Sequence, residues 1–232
     1  MIPSTPILVF AKTPIPGRVK SRLRPAFGAR GAAGVYRRLF AHTLSVAAAA
    51  DLGPVELWLA PGRGHPWTAA LARRHGAVVR VQPRGGLGRR MHRALGSVLQ
   101  RSPQALLVGA DCPALTREQL TEAALILAEG RDVVLVPARD GGYALIGARQ
   151  APAVLFQGVR WSTSAVMRQT RSRLRRLGVR WCVLGESWDV DRPADLRRLR
   201  RERGIDLLRP TAPPVRRTQY DDVGSPAAGQ YP

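Results

Sequence analysis

Acidic residues are scarce in this chain of 232, with 16 Asp plus Glu against 37 Lys plus Arg. Their positions are therefore informative. Asp111, Asp140, Asp189 and Asp191 each fall just after an apolar run that reads as a strand. In an open α/β sheet the ligand crevice lies beyond the carboxyl ends of the strands, so these four carboxylates are expected to face one crevice. A cationic loop should share it. Residues 7–10 read as a short buried strand, and the loop that follows, built on Pro14, Pro16 and Gly17, carries Lys12, Arg18, Lys20 and Arg22. Only Lys12 and Lys20 are lysine in this arginine-rich chain. An ammonium is a compact charge that can sit beside a phosphate without the planar fork of Arg. Backbone N–H groups and fixed charge at a strand end hold phosphate, which makes Ala11, Lys12, Gly17, Arg18 and Lys20 the candidate phosphate-binding group. The plain alternative is an exposed basic loop.

Carboxylates opposite a phosphate loop suggest Mg²⁺ or Mn²⁺, which takes a few hard oxygen ligands from protein and the rest from substrate phosphates. Asp111 is the first candidate ligand, with Pro113 fixing the backbone beyond it; a turn or cap role is the alternative. Asp191 is the second, although an Asp before Arg192-Pro193 is also an ordinary helix N-cap. Asp189 could serve in its place, and Asp195 reads as dipole compensation. Asp140-Gly141-Gly142-Tyr143 suits an acceptor pocket with Asp140 as base, or a simple hairpin turn. Gly85 and Gly88 read as a base or ribose contact or as a strand-to-helix turn. Trp161 borders the pocket or leads into a helix capped by Ser162 or Thr163. The candidate catalytic set is Lys20, Asp111 and Asp140. The four histidines share no metal-ligand spacing, and Cys112 and Cys182 are expected to be free thiols.

The elements that must position these residues alternate. Strands are expected at 55–59, 78–81, 105–109, 132–136, 143–146 and 181–184, with helices at 28–50, 66–74, 89–99, 117–128, from 162 or 163 to 177, and after Pro193. Thr116 with Gln119 forms a capping-box pattern. Near-continuous apolar strands between helices imply an α/β fold with a mainly parallel sheet covered on both faces. The tight turn before Tyr143 implies one antiparallel strand. Residues 1–208 read as one domain. Residues 209–232, rich in Pro, Gly, Ser and polar residues, read as a disordered tail.

No apolar run approaches the ~20 residues of a membrane span and no leader is visible, so a cytoplasmic protein is expected. The net charge of +21 raises nucleic acid as a partner. The arginines are spread through nearly every segment without an aromatic platform for stacking bases, which favours a solvated basic surface that gathers nucleotide anions.

The stretches Phe10 to Pro14 with Pro16 to Leu23, Gly109 to Leu115, Asp140 to Gly147 and Trp188 to Leu196 together resemble the radical-SAM/selenodomain-associated transferase family, also described as arsenosugar-biosynthesis-type glycosyltransferases. The resemblance covers about residues 6–201. It implies a Rossmann-like GT-A domain of the nucleotide-diphospho-sugar transferase superfamily that binds a nucleotide or nucleotide sugar with a divalent metal and acts on a small-molecule acceptor. It puts Lys12, Arg18 and Lys20 on the phosphate loop, Asp111 on the metal-binding position and Asp191 on the late acidic position. Gly86 stands where the family usually carries Asp. Two chemistries compete: glycosyl transfer, placed first, and nucleotidyl transfer, since Asp111-Cys112-Pro113 looks like the Asp-x-Pro of molybdenum-cofactor and 2-phospholactate guanylyltransferases. A non-catalytic nucleotide- or nucleic-acid-binding protein is the third reading.

Overall fold

The structure, a computed structural model, describes residues 2–62 and 65–208; the expectation of a disordered tail lies outside them. Seven strands, β1 (Ile7–Lys12), β2 (Val55–Ala60), β3 (Val78–Val81), β4 (Ala105–Gly109), β5 (Val133–Pro137), β6 (Tyr143–Ala148) and β7 (Trp181–Val183), form one sheet in the order β3-β2-β1-β4-β6-β5-β7. All neighbours pair in parallel except β6, which is antiparallel to both β4 and β5. This is the expected mainly parallel α/β sheet with one reversed strand.

Alternation along β1 explains why helices cover both faces. Ile7, Val9 and Ala11 enter one core, with Phe40 and Leu44 of α1 (Arg24–Ala49), Leu71 of α2 (Pro66–Arg74) and Leu127 of α4 (Arg117–Ala128). Leu8 and Phe10 enter the other, with Leu95 of α3 (Leu87–Leu99), Phe156 of α5 (Ala153–Phe156) and Leu174 of α6 (Val166–Leu177). Successive strand side chains point to opposite faces, so a run of apolar residues feeds two cores at once. A third cluster pins Trp188 and Val190 against Leu39 of α1 and Leu196 and Leu199 of α7 (Pro193–Arg203).

Most boundaries follow the expected ones. The capping box of α4 is present: Thr116 Oγ1 accepts from Gln119 N, and Gln119 Oε1 accepts from Thr116 N. Two elements differ. The helix expected from Ser162 or Thr163 starts only at Val166, because Ser162 takes a left-handed backbone (φ 61°) and Thr163 Oγ1 accepts from Ala165 N in a turn. The short α5, following Pro152, had no helical spacing to reveal it. Helix α1 is broken at Gly28 (φ 64°, ψ 176°), so its continuous part begins where the apolar spacing does.

The chain leaves β1 toward β2 and β3, then crosses to β4 on the other side of β1. That reversal between β1 and β4 is the topological switch point at which open α/β sheets open a crevice. Phe10 lies opposite Gly109 in the register, which sets the loop after β1 beside Asp111.

Candidate functional site

The loop after β1 ends in Lys20, a non-glycine residue with φ 46° and ψ 53°. This left-handed conformation is uncommon for a side-chain-bearing residue. It immediately precedes the 3-10 turn Ser21–Leu23. The Lys20 side chain is 4% exposed and its Nζ donates to Asp111 Oδ2 at 2.7 Å and to Asp191 Oδ1 at 2.8 Å. Arg22 Nη1 donates to Asp191 Oδ2 at 2.8 Å. Burial alone would lower the Lys20 pKa, but the two carboxylates outweigh it and hold the ammonium protonated well above the usual range. The same partners, Lys20 before Arg22, overcome burial at Asp191 and hold its carboxyl below the ordinary carboxylate range.

Asp189 completes a cluster. One carboxylate oxygen from each of Asp111, Asp189 and Asp191 lies within 4.8 Å of the others. Burial pushes the Asp189 carboxyl up to about 6, with the charges of Asp111, Asp191 and Asp140 adding to it and Lys20 opposing it. The local pattern accounts for the cluster: Trp188 and Val190 are buried at 5% and 0%, and the intervening Asp189 and Asp191 line the cleft. Val190 N also donates to Asp111 O at 3.3 Å, tying the two acidic segments together. Capping of α7 falls to Asp195, whose Oδ2 accepts from Asp191 N at 3.0 Å and Arg192 N at 2.6 Å. The Asp191 carboxylate is thereby left for the cleft: Arg192 is the N-cap residue, and Asp195, third in the helix, reaches back to cap it.

These groups line a cavity of about 760 Å³, together with Ala11, Lys12, Tyr36, Gln82, Arg90 and Asp140. Lys12 N donates to Tyr36 Oη at 2.9 Å; burial first, then Asp111, raises the Tyr36 phenol. Beside it lies a smaller pocket of about 250 Å³ that shares Asp111, Asp140 and Asp189 and is walled by Gly142, Tyr143 and Trp161. The Tyr143 and Trp161 rings meet edge to face at 6.1 Å. Asp140, which is exposed, lines both cavities while its Oδ1 accepts from Gly142 N at 2.9 Å.

Other candidates fall elsewhere. Gly17 and Arg18 are exposed and are not among the lining residues of the large cavity. Gly85 has φ 120° and lies outside it too. Gly88 has a packing reason: a Cβ there would meet Trp161 Nε1 at 2.4 Å and Phe156 O at 2.5 Å. Gly141 likewise turns tightly, at φ 87°, against the Ser164 backbone. Cys112 is buried, and burial raises its thiol pKa, as suits an inert side chain. Among the described residues no helix is long and apolar enough to cross a membrane.

Sequence reasoning missed Gln82, Arg90 and Tyr36. Gln82 directly follows β3, and a polar residue at a strand's carboxyl end was the available signal. Arg90 had no distinguishing mark among so many arginines. Tyr36 reads as one more core residue of α1.

The fold is shared with solved proteins. A protein from Desulfovibrio desulfuricans G20, provisionally assigned as a nucleotide-diphospho-sugar transferase, superposes with a TM-score of 0.74 at 29% identity over 82% of this chain and 83% of its own. A nucleotidyl transferase from Methanothermobacter thermautotroptrophicus superposes at 0.58 with 15% identity, over 86% of this chain and 97% of that one. Glucosyl-3-phosphoglycerate synthase from Mycobacterium tuberculosis, solved with Mn²⁺, UDP and phosphoglyceric acid, gives 0.51 at 14%, over 88% of this chain and 75% of that one. The last two likenesses concern the fold alone. No curated protein matches the chain. A family profile described as an uncharacterized protein conserved in bacteria matches residues 43–163, and with the nucleotide-diphospho-sugar transferase fold around it the chain belongs to that family, DUF2064.

Proposed function

We propose that this protein is a divalent-metal-dependent transferase acting on a nucleotide-linked donor, and that it transfers a glycosyl group from a nucleotide sugar to a small-molecule acceptor. The observation that carries the reading is the placement of the Lys20 ammonium between Asp111 and Asp191, beside Asp189, at the junction of a large polar cavity and a smaller aromatic pocket. The finer kinship, with the radical-SAM-associated arsenosugar-type transferases, is part of the same proposal.

The residues fit a hard cation. Three carboxylate oxygens within 4.8 Å are a donor set suited to Mg²⁺ or Mn²⁺, and the ammonium of Lys20 stands in for a cation between two of them. Asp111 and Asp191 would hold the metal, with Asp189 beside them. When bound, the metal supplies charge neutralisation for a departing diphosphate. Lys12 and Lys20 add fixed positive charge to the phosphates, with the loop backbone at Ala11 alongside. Phosphate roles for Gly17 and Arg18, and donor contacts from Gly85 and Gly88, would require the loops to move, since none of the four lines the cavity. The acceptor would sit against Gly142, Tyr143 and Trp161, with Gly141 shaping the turn. Asp140, on the rim of both cavities, would take the acceptor hydroxyl proton as the acceptor oxygen bonds to the sugar and the sugar–phosphate bond breaks, releasing nucleoside diphosphate.

One feature favours nucleotidyl transfer as a second reading. Asp111 is followed by buried Cys112 and by Pro113, so a single carboxylate stands after β4. The same cradle would then support attack on the α-phosphate, releasing pyrophosphate. Incubation of the protein with a panel of nucleotide sugars or nucleoside triphosphates, candidate acceptors and Mn²⁺ or Mg²⁺ separates the two. Nucleoside diphosphate release is expected; pyrophosphate release selects the second reading. Release of neither, with salt-sensitive binding to RNA or DNA instead, overturns both.

A further inference from the structure

We propose that Arg90, held in place by Gln82, reads the nucleobase of the donor and selects guanine or cytosine over adenine and uracil. The inference rests on the nucleotide-donor reading above and goes beyond it by naming the base. Gln82 is polar yet only 9% exposed, and every group of its amide is engaged. Its Nε2 donates to Ala11 O at 3.2 Å and to Trp58 O at 2.9 Å. Both acceptors are main-chain carbonyls, so the amide orientation is fixed. Its Oε1 must then face the cavity side, where it accepts from Arg90 Nη1 at 2.5 Å. The strand ends of β1 and β2 thus hold one corner of the Arg90 guanidinium.

The opposite edge of that guanidinium makes no hydrogen bond to the described residues. Arg90 Nε is buried without a hydrogen-bond partner, and among the described residues no carboxylate forms an ion pair with Arg90. A buried donor left unmade is costly. Because Nη1 is taken by Gln82, the remaining fork is the Nε–H and Nη2–H pair, two parallel donors in a plane. Such a fork matches two adjacent acceptors. Guanine offers O6 and N7, and cytosine offers O2 and N3. Adenine interrupts each acceptor edge with its amino group, and uracil places an N–H between its two carbonyls.

The location favours the base over the phosphates. Lys20 follows β1 and Asp111 follows β4, whereas Gln82 follows β3, two strands from β1 and three from β4, about 10 and 14 Å across the sheet. A donor with its diphosphate at Lys20 extends over β1 toward Gln82 and Arg90, between the apolar walls of Phe10 and Leu87.

The test is titration calorimetry of the full chain with GDP, CDP, ADP, UDP and inorganic pyrophosphate, each with Mn²⁺, on the wild type and on Arg90→Lys and Arg90→Met. GDP or CDP should bind about five- to 150-fold tighter than ADP and UDP, the range of a bidentate contact. Both variants should lose that margin while pyrophosphate binds as before, which also reports that they are folded. Retention of the base ranking in Arg90→Met overturns the inference, as does a parallel loss for every nucleotide and for pyrophosphate, which would make Arg90 a phosphate contact. Wild-type protein that binds nucleotides without base preference sinks the inference alone; wild-type protein that binds none of them sinks the donor reading as well.

Discussion

Lys20 Nζ lies 2.7 Å from Asp111 Oδ2, so the two strand ends that flank the sheet's switch point are joined by a partly buried ion pair. The same ammonium reaches Asp191 at 2.8 Å. In this state Lys20 and Arg22 offset two of the three carboxylates, and a metal must compete with Lys20 for the same oxygens. Lys20→Met is therefore expected to tighten Mn²⁺ binding in the absence of nucleotide and to weaken nucleoside diphosphate binding by roughly ten- to 100-fold, the scale of a lost charged hydrogen bond. Calorimetric titration with each ligand separately checks both directions. Unchanged nucleotide affinity would remove Lys20 from the phosphate site.

Asp111→Asn keeps the size of the side chain and removes its charge. Turnover should fall by at least a hundredfold, the scale on which electrostatic transition-state groups act, while the melting temperature stays within a few degrees. The leaving-group assay together with thermal unfolding measures both. Activity equal to the wild type would mean that Asp111 is a turn residue.

The Asp189 carboxyl is pushed up to about 6, and a cation needs it ionised. Above pH 6 the group is charged; below it, protons and metal compete. Mn²⁺ affinity should therefore drop by about tenfold per unit as the pH falls below 6. In Asp189→Asn the slope over that window should flatten. A wild-type affinity independent of pH between 5 and 7 would exclude Asp189 from the cation site.

The carrier of the late carboxylates is the buried alternation of Trp188 and Val190. The Trp188 ring also lies 4.4 Å from the Arg198 guanidinium. Trp188→Ala should cost about 3–5 kcal/mol in denaturant unfolding, the range for a buried aromatic, and should loosen metal binding because Asp189 and Asp191 lose their support. Loss of stability with unchanged metal affinity would show that the carboxylates are held by Lys20 alone.

Gly88→Ala would drive a methyl into Trp161 Nε1 and Phe156 O. The expected result is a loss of about 1–3 kcal/mol from overpacking and a raised acceptor KM, since Trp161 walls the smaller pocket. An unchanged KM would place the acceptor elsewhere.

Much of this site was legible in the sequence because its residues sit at strand ends. A strand end in a parallel sheet has one available crevice, so the Lys20 loop, Asp111 and the Asp189–Asp191 pair could be brought together from their order alone. In the sequence Asp191 ranks ahead of Asp189 as a ligand but with a helix cap as its alternative; the cap alternative is removed by Asp195, three residues into the helix start, and the cluster holds Asp189 as well. Gln82 offered only the weak mark of a polar residue at a strand end, and Arg90 offered none. Their significance arises from hydrogen bonds to Ala11 and Trp58 on other strands, and long-range pairing leaves no local pattern. The late start of α6 was hidden for a different reason. Ser162 and Thr163 look like caps, but the left-handed turn at Ser162 carries the chain along the cavity wall before the helix begins.

The most direct measurement of the central claim is calorimetric titration of a nucleoside diphosphate panel into the full chain, with and without Mn²⁺, for the wild type and Asp111→Asn. A diphosphate should bind, Mn²⁺ should strengthen its binding at least tenfold, and Asp111→Asn should abolish that gain. Nucleotide binding indifferent to Mn²⁺, or equally metal-enhanced in Asp111→Asn, would contradict the account.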